Sequence, residues 1–481
     1  MKIEELIRNV KIKRVVNDDQ VDIHAIQFDS RLVGRGDVFV ATRGTAVDGH
    51  TFISKAIEQG AVAVVCEVLP EMEEGVTYIL VEDSLDALGV MASNYYDNPS
   101  RKLTLVGVTG TNGKTTIATL LYKLTRQLGY KAGLISTVCN YVEEQVIEST
   151  HTTPDPLSLN ALLSQMVEAG CSYAFMEVSS HSVCQRRIAG LDFDGGIFTN
   201  LTRDHIDYHK TFDNYRDAKK RFFDELKPRA FALTNVDDKN GRVMLQNTRA
   251  KQLTYSCRTL ADYNGKILEE GFEGMLLLIN QREVFVPLTG RFNVYNLLGI
   301  YGAAMAMGFD RDETLRILSA LTPVNGRFET IRSAKGWTAI VDYAHTPDAL
   351  TNVLNTINDI RKKDTQLITV VGCGGNRDKG KRPMMAHEAV VGSTRVVLTS
   401  DNPRDEEPED ILNDMQAGLT TDEMKRTLVI IDRHEAIKVA CMLAQSGDVI
   451  LIAGKGHEDY QIIKGVKYHF DDKEEVRKYI E

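Results

Sequence analysis

The stretch "GVTGTNGKTT" (107–116) constrains the fold of this chain more than any other part of the sequence. An apolar run, Leu103–Val108, leads into it, and apolar residues recur behind it at helical spacing from Ile117 to Leu124. A phosphate-binding loop requires a strand, a glycine-rich turn and a helix start, because the turn and the helix N-terminus then present backbone N–H groups to the anion. The sequence therefore predicts an α/β domain that binds a nucleotide phosphate.

The glycines of this loop depart from the usual P-loop spacing. A standard P-loop has a glycine five positions before its Gly-Lys pair, but that position is Val108 here. Lys114 is expected to reach the terminal phosphates, and the Thr115 hydroxyl is expected to face Mg²⁺. A GTPase is disfavoured, since "TNVDD" (234–238) lacks the lysine of a guanine-recognition motif. The predicted phosphate-binding residues are Gly110, Thr111, Asn112, Gly113, Lys114, Thr115 and Thr116.

The chain is too long for one hydrophobic core, since its 481 residues exceed the size at which chains divide into domains. We predict an α/β fold of three domains: a small mixed α/β domain (1–98), a central P-loop-type parallel-sheet ATPase domain (99–325) and a C-terminal Rossmann-like doubly wound sheet (326–481). The alternation of strand-like and helical runs indicates the last of these. Its glycine-rich "GCGGNRDKG" (372–380) has the wrong spacing for a dinucleotide, and "GMLLLINQREVFVPL" (274–288) predicts a β-hairpin.

Composition and charge exclude several functions. The net charge of −10 argues against broad contacts with nucleic-acid phosphates, although a local basic site is still allowed. The seven cysteines include no CxxC pair, which is typical of reduced cytosolic thiols rather than of disulfides or a zinc site. The N-terminus shows no signal peptide, and no apolar run has the length of a membrane span. We therefore expect a soluble cytoplasmic protein.

Carboxylates and histidines follow two strand-like runs of the central block. Glu177 ends the run "YAFMEVSS" (173–180) and would lie at the carboxyl edge of a parallel sheet. A carboxylate there can bind Mg²⁺ or orient a water, and the alternative is an exposed strand-end glutamate. The stretch 203–213 is rich in Asp and His. It indicates a metal or phosphate site without distinguishing the two.

Two further stretches bracket the start of the third block. Arg327, in "GRFE" (326–329), could bring positive charge to the phosphate site when domains close, or it could form a hinge salt bridge. Asp342 and His345, in "VDYAHTPDAL" (341–350), are either ligand contacts or turn-forming residues.

The segment "DNPR" (401–404) follows a strand of the third block and presents Arg404 in a turn. An arginine there suits the two-pronged capture of a carboxylate, and an ordinary Asx-Pro turn is the alternative. "GKGHE" (454–458) follows the final parallel strand, so both loops share one sheet edge. An Arg and a Glu on neighbouring loops suit a ligand with both charges of an amino acid. The acidic residues of "DEEPED" (405–410) are expected to face solvent at a helix start.

Taken together, these stretches resemble the Mur ligase family of peptidoglycan synthesis, whose loop G-T-x-G-K-[ST] accounts for the unusual glycines. The resemblance covers nearly the whole chain. It rests on "DSR" (29–31), "DGHTFI" (48–53), "GTNGKTT" (110–116), "TTPD" (152–155), "MEVSSH" (176–181), "DHIDYH" (204–209), "AKKRFF" (218–223), "GRFE" (326–329), "DYAHTPD" (342–348), "GGNRDKGKRP" (374–383), "DNPR" (401–404) and "GKGHE" (454–458).

The resemblance implies an ATP-dependent, ADP-forming ligase of cell-wall synthesis, with Mg²⁺ as cofactor and ATP as co-substrate. ATP would phosphorylate the D-glutamate γ-carboxylate of UDP-MurNAc-L-Ala-D-Glu, and an incoming amine would attack the acyl phosphate. "DNPR" (401–404) resembles the version that selects meso-2,6-diaminopimelate over lysine, since the second carboxylate needs a guanidinium. We expect a monomer with these small-molecule substrates, without nucleic-acid or membrane partners.

The resemblance also assigns an expected role to each candidate residue. The catalytic residues would be Lys114, Glu177, His205 and Lys219, and the metal ligands Thr115, Glu177, His205 and a carbamylated Lys219. Further ATP contacts would be Asn293, Arg327 and Asp342. The UDP-MurNAc-dipeptide would contact Ser30, Thr152, Thr153, Ser179, Gln185 and Arg187. Diaminopimelate would contact Arg377, Asp401, Asn402, Pro403, Arg404, Gly454 and Glu458. His151 departs from the family, which often has Asn before the Thr pair.

Three other functions compete with this interpretation: another Mur ligase step, a folate polyglutamylating ligase, and an ATPase that moves domains without forming a bond. The combination of "DNPR" (401–404), "GKGHE" (454–458) and the N-terminal "DSR" (29–31) argues against the first two. ATP turnover that needs neither muropeptide nor amino acid would favour the third.

Overall fold

Three sheets organise the molecule, each covered by helices. The structure, a computed structural model, describes residues 1–17, 20–44 and 47–481. The α/β prediction is confirmed, because the strands form sheets of five, eleven and six members, with a separate two-stranded ribbon. No helix within these described ranges is long and apolar enough to cross a membrane.

The N-terminal sheet has five strands and is parallel except at one edge. Its strands are β1 (Ile12–Val16), β2 (Ile26–Gln27), β3 (Val38–Val40), β4 (Ala63–Cys66) and β5 (Thr77–Val81), and its helices are α1 (Ile3–Leu6), α2 (Ile53–Glu58) and α3 (Ser84–Tyr95). Short 3-10 helices cover Ser30–Leu32, Gly49–Phe52 and Pro99–Lys102. The strand order is β1-β5-β4-β3-β2, with β1 antiparallel to β5.

The central sheet has eleven strands in the order β16-β15-β14-β13-β12-β11-β6-β10-β7-β8-β9. In chain order they are β6 (Thr104–Thr109), β7 (Ala132–Ile135), β8 (Cys139–Val142), β9 (Gln145–Glu148), β10 (Tyr173–Glu177), β11 (Gly195–Phe198), β12 (Phe231–Asn235), β13 (Lys251–Ser256), β14 (Tyr263–Gly271), β15 (Gly274–Ile279) and β16 (Arg282–Val286). The helices are α4 (Lys114–Gln127), α5 (Pro156–Glu168), α6 (Ser180–Cys184), α7 (Ile206–His209), α8 (Phe212–Asp224), α9 (Gly241–Met244), α10 (Arg291–Ala306) and α11 (Arg311–Leu318).

The middle of this sheet is parallel, and its margins are antiparallel. β6 lies between β10 and β11 and pairs in parallel with both. Such strands are buried on both faces, which explains their near-continuous apolar sequences. Two apolar cores cover the two faces, one containing Leu120 of α4 and the other Phe222 of α8. The predicted hairpin is confirmed, since β15 and β16 pair antiparallel from Met275–Val286 to Ile279–Arg282.

The C-terminal sheet has the order β17-β18-β22-β19-β20-β21 and is parallel except for β17. Its strands are β17 (Glu329–Arg332), β18 (Thr338–Asp342), β19 (Leu367–Val371), β20 (Arg395–Leu398), β21 (Thr427–Val429) and β22 (Val449–Ala453), followed by the ribbon β23 (Tyr460–Ile463) and β24 (Val466–His469). The helices are α12 (Pro347–Ile360), α13 (Lys381–Gly392), α14 (Pro408–Gln416), α15 (Thr421–Met424), α16 (Arg433–Leu443) and α17 (Asp472–Arg477). Helices cover both faces, as the doubly wound pattern predicts.

Two glycines let helix α8 pack directly on the backbone of the central sheet. A Cβ at Gly107 of β6 would lie 2.7 Å from the Phe222 ring, and a Cβ at Gly196 of β11 would lie 2.9 Å from the same ring. Gly107 is therefore a packing residue rather than a displaced P-loop glycine. The close approach also fixes the position of Lys219, one turn before Phe222 on α8.

We expect Gly107→Ala to lower the stability of the central sheet by about 1–3 kcal/mol, because the added methyl group overpacks the contact with Phe222. The measurement is the midpoint of thermal unfolding. Gly34→Ala is the control, since its Cβ would meet Asp37 Oδ2 at an ordinary 3.6 Å. Equal midpoints for the two variants would contradict the packing role of Gly107.

Candidate active site

Loops from the carboxyl edges of the central and C-terminal sheets enclose one large cleft of about 890 Å³. The phosphate loop forms one wall, and the loops after β18, β19, β20 and β22 form the opposite wall. Parallel strands bring their carboxyl ends to one edge, so residues distant in sequence meet there. The candidate residues that line the cleft are Thr111, Asn112, Gly113, Lys114, Thr115, Thr116, Thr152, Thr153, Glu177, Ser179, Arg187, His205, Lys219, Arg327, Asp342, Arg377, Asp401, Asn402, Arg404, Gly454 and Glu458.

Five candidate residues do not line this cleft: Ser30, Gly110, Gln185, Asn293 and Pro403. Ser30 lies in a 3-10 helix of the N-terminal region, and its side chain is buried there. Asn293 donates to the Thr289 carbonyl at 2.7 Å and accepts from Asn296, one of the α10 residues that line the cleft. Gln185 lies behind the residues that line the cleft, and it donates to the Tyr208 hydroxyl at 3.1 Å.

The phosphate loop has the tight geometry that its glycines allow. Gly110 and Gly113 have φ of +146° and +87°, a region where a Cβ is unfavourable. A Cβ at Gly113 would also overlap the side chain of Asn296. Lys114 folds back over the loop and donates to the carbonyls of Gly110 and Thr111 at 3.0 and 2.8 Å. Burial lowers the pKa of Lys114.

The first N–H groups of the loop are bonded to the protein, which corrects part of the predicted phosphate cradle. Thr111 N–H donates to the Asn200 carbonyl, and Asn112 N–H donates to the Asn200 side chain, both at 2.9 Å. Asn200 is thus a structural partner of the loop that sequence reasoning missed. The first-turn N–H groups of helix α4, which begins at Lys114, have no partner within the helix and are thus free to bind an anion.

The C-terminal region contacts the phosphate loop directly through Arg327. The guanidinium donates to Thr115 Oγ1 at 3.2 Å and stacks over the Tyr343 ring at 4.4 Å. Asp342 supports this turn by accepting from Phe328 N–H at 2.7 Å, and its burial raises its pKa. Arg327 therefore joins the two walls of the cleft, and Asp342 stabilises the segment that carries it.

A second polar contact crosses the cleft beside the first. Asn112 donates its side-chain amide to Asp348, at the start of α12, at 3.3 Å. Asp348 was not a candidate from the sequence, and its position in "DYAHTPD" is the signal that could have indicated it. Burial raises the pKa of Asp348.

The predicted metal ligands lie at the floor of the cleft. Glu177 is 1% exposed and accepts from Thr137 N–H at 2.8 Å. The His205 ring stacks edge-on against His181 at 4.8 Å, and desolvation lowers the pKa of both imidazoles to about 4, which keeps them in the neutral form that binds metals. Asp204 lies beside His205, with 3.4 Å between Oδ2 and Nε2. His181 and Asp204 line the same cleft and had not been singled out.

Lys219 is buried within the same floor. It is 1% exposed, and its ammonium donates to the Gly110 carbonyl at 2.8 Å and lies 4.8 Å from the Tyr215 ring. Burial, reinforced by nearby Lys114, lowers the pKa of Lys219 well below its usual value. A lowered pKa increases the share of the neutral amine, and the neutral form is the nucleophilic one.

The residues present fit a magnesium ion only together with substrate oxygens. Thr115, Glu177 and His205 face one cleft, but the described part of the chain contains no group of three or more His, Cys, Asp or Glu side chains placed to hold a metal by themselves. Mg²⁺ is usually bound by one or two carboxylates, with waters and substrate phosphates completing its shell. The donor set therefore lacks a complete protein cage and would need nucleotide oxygens to hold such an ion.

The threonine pair and its neighbours form a bonded patch beside Glu177. Thr153 Oγ1 donates to the Glu177 carbonyl at 2.8 Å, and Thr152 accepts from Thr137 at 3.0 Å. Arg187 donates to the Thr153 carbonyl at 2.7 Å and to Gln185 Oε1 at 2.6 Å. This patch brings a guanidinium and several hydroxyl groups to the cleft.

Arg186, between two candidate residues, faces away from this patch. It has φ of +53° and pairs with Asp86 of the N-terminal region and Glu225 of the central region. The positive φ turns its side chain away from those of Gln185 and Arg187.

Asp401, Asn402 and Glu458 form the pocket on the C-terminal wall. Asn402 donates to Glu458 at 2.8 Å, and the fully buried Lys455 lies 3.3 Å from the same carboxylate. Burial and neighbouring Asp401 raise the pKa of Glu458. Lys455, inside "GKGHE", was missed by sequence reasoning.

Arg404 lies in a left-handed turn, with φ of +54°, and donates to the Gly375 carbonyl at 2.9 Å. The donating atom is Nη1. The Arg404 side chain lines the cleft, as does that of Arg377. The two guanidiniums give the pocket its positive side.

The acidic residues of "DEEPED" (405–410) were expected to face solvent at a helix start. The helix start is confirmed, but the expected exposure is wrong for Glu406. Helix α14 begins at Pro408, and Asp405 and Glu407 are exposed. Glu406 instead pairs with the fully buried Arg382 at 2.9 Å, which lowers the pKa of Glu406 to about 2. A buried guanidinium needs a counter-charge, and the sequence alone did not show that Arg382 would be buried.

Three family models match the chain in order. They are described as "Mur ligase family, catalytic domain" (residues 22–96), "Mur ligase middle domain" (108–305) and "Mur ligase, glutamate ligase domain" (326–456).

Curated relatives and solved structures match over the full length. The UDP-N-acetylmuramoyl-L-alanyl-D-glutamate–2,6-diaminopimelate ligase of Parabacteroides distasonis is 64% identical, over 99% of this chain and 98% of the relative. The enzyme of that name from Clostridium tetani is 41% identical, over 100% and 99%. A solved structure of a ligase of the same name is 36% identical, with a TM-score of 0.70 over 100% and 98% of the two chains. The MurF ligase of Thermotoga maritima in complex with ADP, at 20% identity and a TM-score of 0.62 over 96% and 97%, shares the fold. The chain therefore belongs to the Mur ligase family.

Proposed function

We propose that this protein is an ATP-dependent ligase that joins meso-2,6-diaminopimelate to the D-glutamate γ-carboxylate of UDP-MurNAc-L-Ala-D-Glu in peptidoglycan synthesis. One observation carries the proposal: the phosphate loop and a pocket with both charges of an amino acid face each other across a single cleft. The names of relatives at 64% and 41% identity support the same substrates.

The reaction proceeds in two steps. An oxygen of the γ-carboxylate attacks the γ-phosphorus of ATP, the bond to the ADP oxygen breaks, and an acyl phosphate and ADP result. The neutral amine of diaminopimelate then attacks the acyl carbon, the C–O bond to phosphate breaks, and the nitrogen loses a proton as the amide forms. Negative charge spreads over the transferred group in the first step. Lys114 and Arg327 supply positive charge on either side of it.

The cleft residues have separate tasks in these steps. Lys114 binds the terminal phosphates, and its present contacts with two loop carbonyls would be exchanged for phosphate oxygens. Thr115, Glu177 and His205 would hold Mg²⁺, which neutralises phosphate charge and orients the transferred group when bound. Closure through Arg327 excludes water, which protects the acyl phosphate from hydrolysis.

A carbamate on Lys219 would complete the metal site. The neutral amine adds to the carbon of CO₂ and loses a proton, so that a buried amine becomes a carboxylate. Its lowered pKa, caused by burial and by Lys114, favours this reaction near neutral pH. The carbamate would also remove the repulsion between two ammonium groups that now donate to the same Gly110 carbonyl.

The two substrates would enter from different sides of the cleft. The UDP group would lie against the N-terminal region, which carries Ser30, and the dipeptide would reach past Thr152, Thr153, Ser179 and Arg187. Diaminopimelate would place one amine toward the acyl phosphate. Its distal carboxylate would bind Arg404 and Arg377, and its distal ammonium Asn402 and Glu458.

This assignment gives the three regions distinct roles. We assign UDP-sugar binding to residues 1–98, ATP binding to 99–325 and amino-acid binding to 326–481. A cytoplasmic monomer suits substrates of this kind, and all seven cysteines are free thiols, as in a reducing compartment.

We expect ADP release to require UDP-MurNAc-L-Ala-D-Glu and meso-diaminopimelate together. The measurement is a coupled ADP assay in which meso-diaminopimelate is exchanged for L-lysine and other amines. Release of ADP at the full rate without muropeptide or amine would identify a domain-moving ATPase instead. Preference for another amine would refute the substrate assignment.

We expect Arg404→Lys to raise the KM for diaminopimelate by about tenfold or more, because a lysine cannot make the paired contacts of a guanidinium with a carboxylate. The KM for ATP should stay within about twofold. Arg395→Lys, at the exposed start of β20, is the matched control and should change neither constant. Equal effects on both substrates would refute the role of Arg404.

We expect Lys219→Ala to abolish ligation and short carboxylates at millimolar concentration to restore part of it, because they replace the carbamate oxygens. Lys220→Ala is the matched control and should stay active, since Lys220 pairs with Asp224 within α8 and does not line the cleft. ¹³C NMR in labelled bicarbonate should show a carbamate signal in the native protein that Lys219→Ala lacks. Full activity of Lys219→Ala would refute the carbamate.

A further inference from the structure

The two loops of the amino-acid pocket come from strands that are not neighbours. Asp401–Arg404 follows β20, and Gly454–Glu458 follows β22, but β19 lies between these strands in the sheet. Both strands pair with β19, but no backbone ladder joins them directly. The loops touch each other through Asn402 and Glu458 at 2.8 Å, and their alignment matters because a pocket that grips a small ligand tolerates little displacement.

Arg433, the first residue of α16, spans this gap beneath the pocket. Its guanidinium donates to the Ser400 carbonyl at 3.5 Å and to the Ala453 carbonyl at 3.2 Å. These two residues immediately precede Asp401 and Gly454. One planar side chain thus contacts the base of both loops at the same time.

Asp472, the first residue of α17, holds this guanidinium in place. Its two oxygens accept from Nε and Nη2 of Arg433, each at 2.7 Å, in a paired geometry. Both side chains are 0–1% exposed. A buried ion pair is weak evidence for stability, because desolvation offsets much of the attraction. The position of this ion pair, at the base of both loops, indicates its role better than its contribution to stability does.

We infer that Arg433, oriented by Asp472, is a positioning residue that aligns the two loops of the amino-acid pocket. The inference rests on the proposed function, since it assigns both loops to the incoming amino acid. Neither residue lines the cleft, so both act through the backbone rather than on the substrate.

The contact between the two loops depends on this alignment. A Cβ at Gly454 would lie only 2.7 Å from Asp401 Oδ2, so the loops touch where they leave the sheet. Burial works to raise the pKa of Asp401, but Lys455 and then Arg433 outweigh it and hold that pKa below its usual value. Arg433 therefore also favours an ionised carboxylate at the rim of the pocket.

The test compares Arg433→Lys and the isosteric Asp472→Asn with the native enzyme, using meso-diaminopimelate as the probe. We expect each variant to raise the KM for diaminopimelate by about tenfold or more, the effect of losing a charged hydrogen bond. The KM for ATP and for UDP-MurNAc-L-Ala-D-Glu should stay within about twofold. All assays are run well below the unfolding midpoint of each variant, so that loss of folded protein does not contribute.

Asp448→Asn is the matched control, because Asp448 is buried at the opposite end of β22. It accepts from the N–H groups of Gln366 and Gln445 at 2.7 and 2.9 Å. We expect this variant to lower the unfolding midpoint and to leave all three KM values unchanged. Arg433 variants that behave in the same way would overturn the inference, and so would a parallel rise of all three KM values.

The same experiment separates this inference from the proposed function. If the native enzyme rejects meso-diaminopimelate and uses L-lysine, the substrate assignment fails, and the KM for L-lysine then becomes the readout for Arg433 and Asp472. Hydrogen–deuterium exchange gives a second readout. Faster exchange at both 401–404 and 454–458 in Asp472→Asn supports the alignment role, and unchanged exchange overturns it.

Discussion

The direct packing of helix α8 on the backbone of two central strands determines most of the site. Gly107 and Gly196 remove the side chains that would separate helix from sheet, and Phe222 fills the space. This approach carries Lys219 to the Gly110 carbonyl, where it meets Lys114 from the other side. Two ammonium groups on one buried oxygen make a strongly positive floor. Such a floor is stable only if an anion, a neutral amine or a modified lysine relieves the repulsion.

The opposite wall is held by polar and apolar contacts together, since Phe292 of α10 packs against the C-terminal core, with its ring centre 6.1 Å from that of Phe328. Arg327 reaches Thr115, and Asn112 reaches Asp348, so two hydrogen bonds join the C-terminal region to the phosphate loop. Contacts of this type can be exchanged for substrate atoms at little net cost, since water or ligand oxygens replace them.

The sequence was sufficient for the fold class and for the loops at the sheet edges, because both follow from local periodicity and from parallel topology. It was not sufficient where the direction and the partner of a side chain depend on which neighbouring groups are buried. On α10, Asn293 faces inward and Asn296 faces the cleft, and only tertiary packing sets the rotation of that helix. Glu406 looked like a solvent-exposed helix-start acid, but the buried Arg382 engages it. Asn200 lies about ninety residues from the loop it supports, and no local pattern links them.

Gly107 has a consequence for how substitutions in this family are interpreted. Its small size is required by the ring of Phe222 and not by a phosphate, so the two positions share one fixed volume. A larger residue at 107 would need a smaller one at 222 to restore the packing, because residues in contact do not act independently. Covariation between these positions across relatives would then record the spacing of helix and sheet, and a glycine within a nucleotide-loop signature need not report on the nucleotide at all.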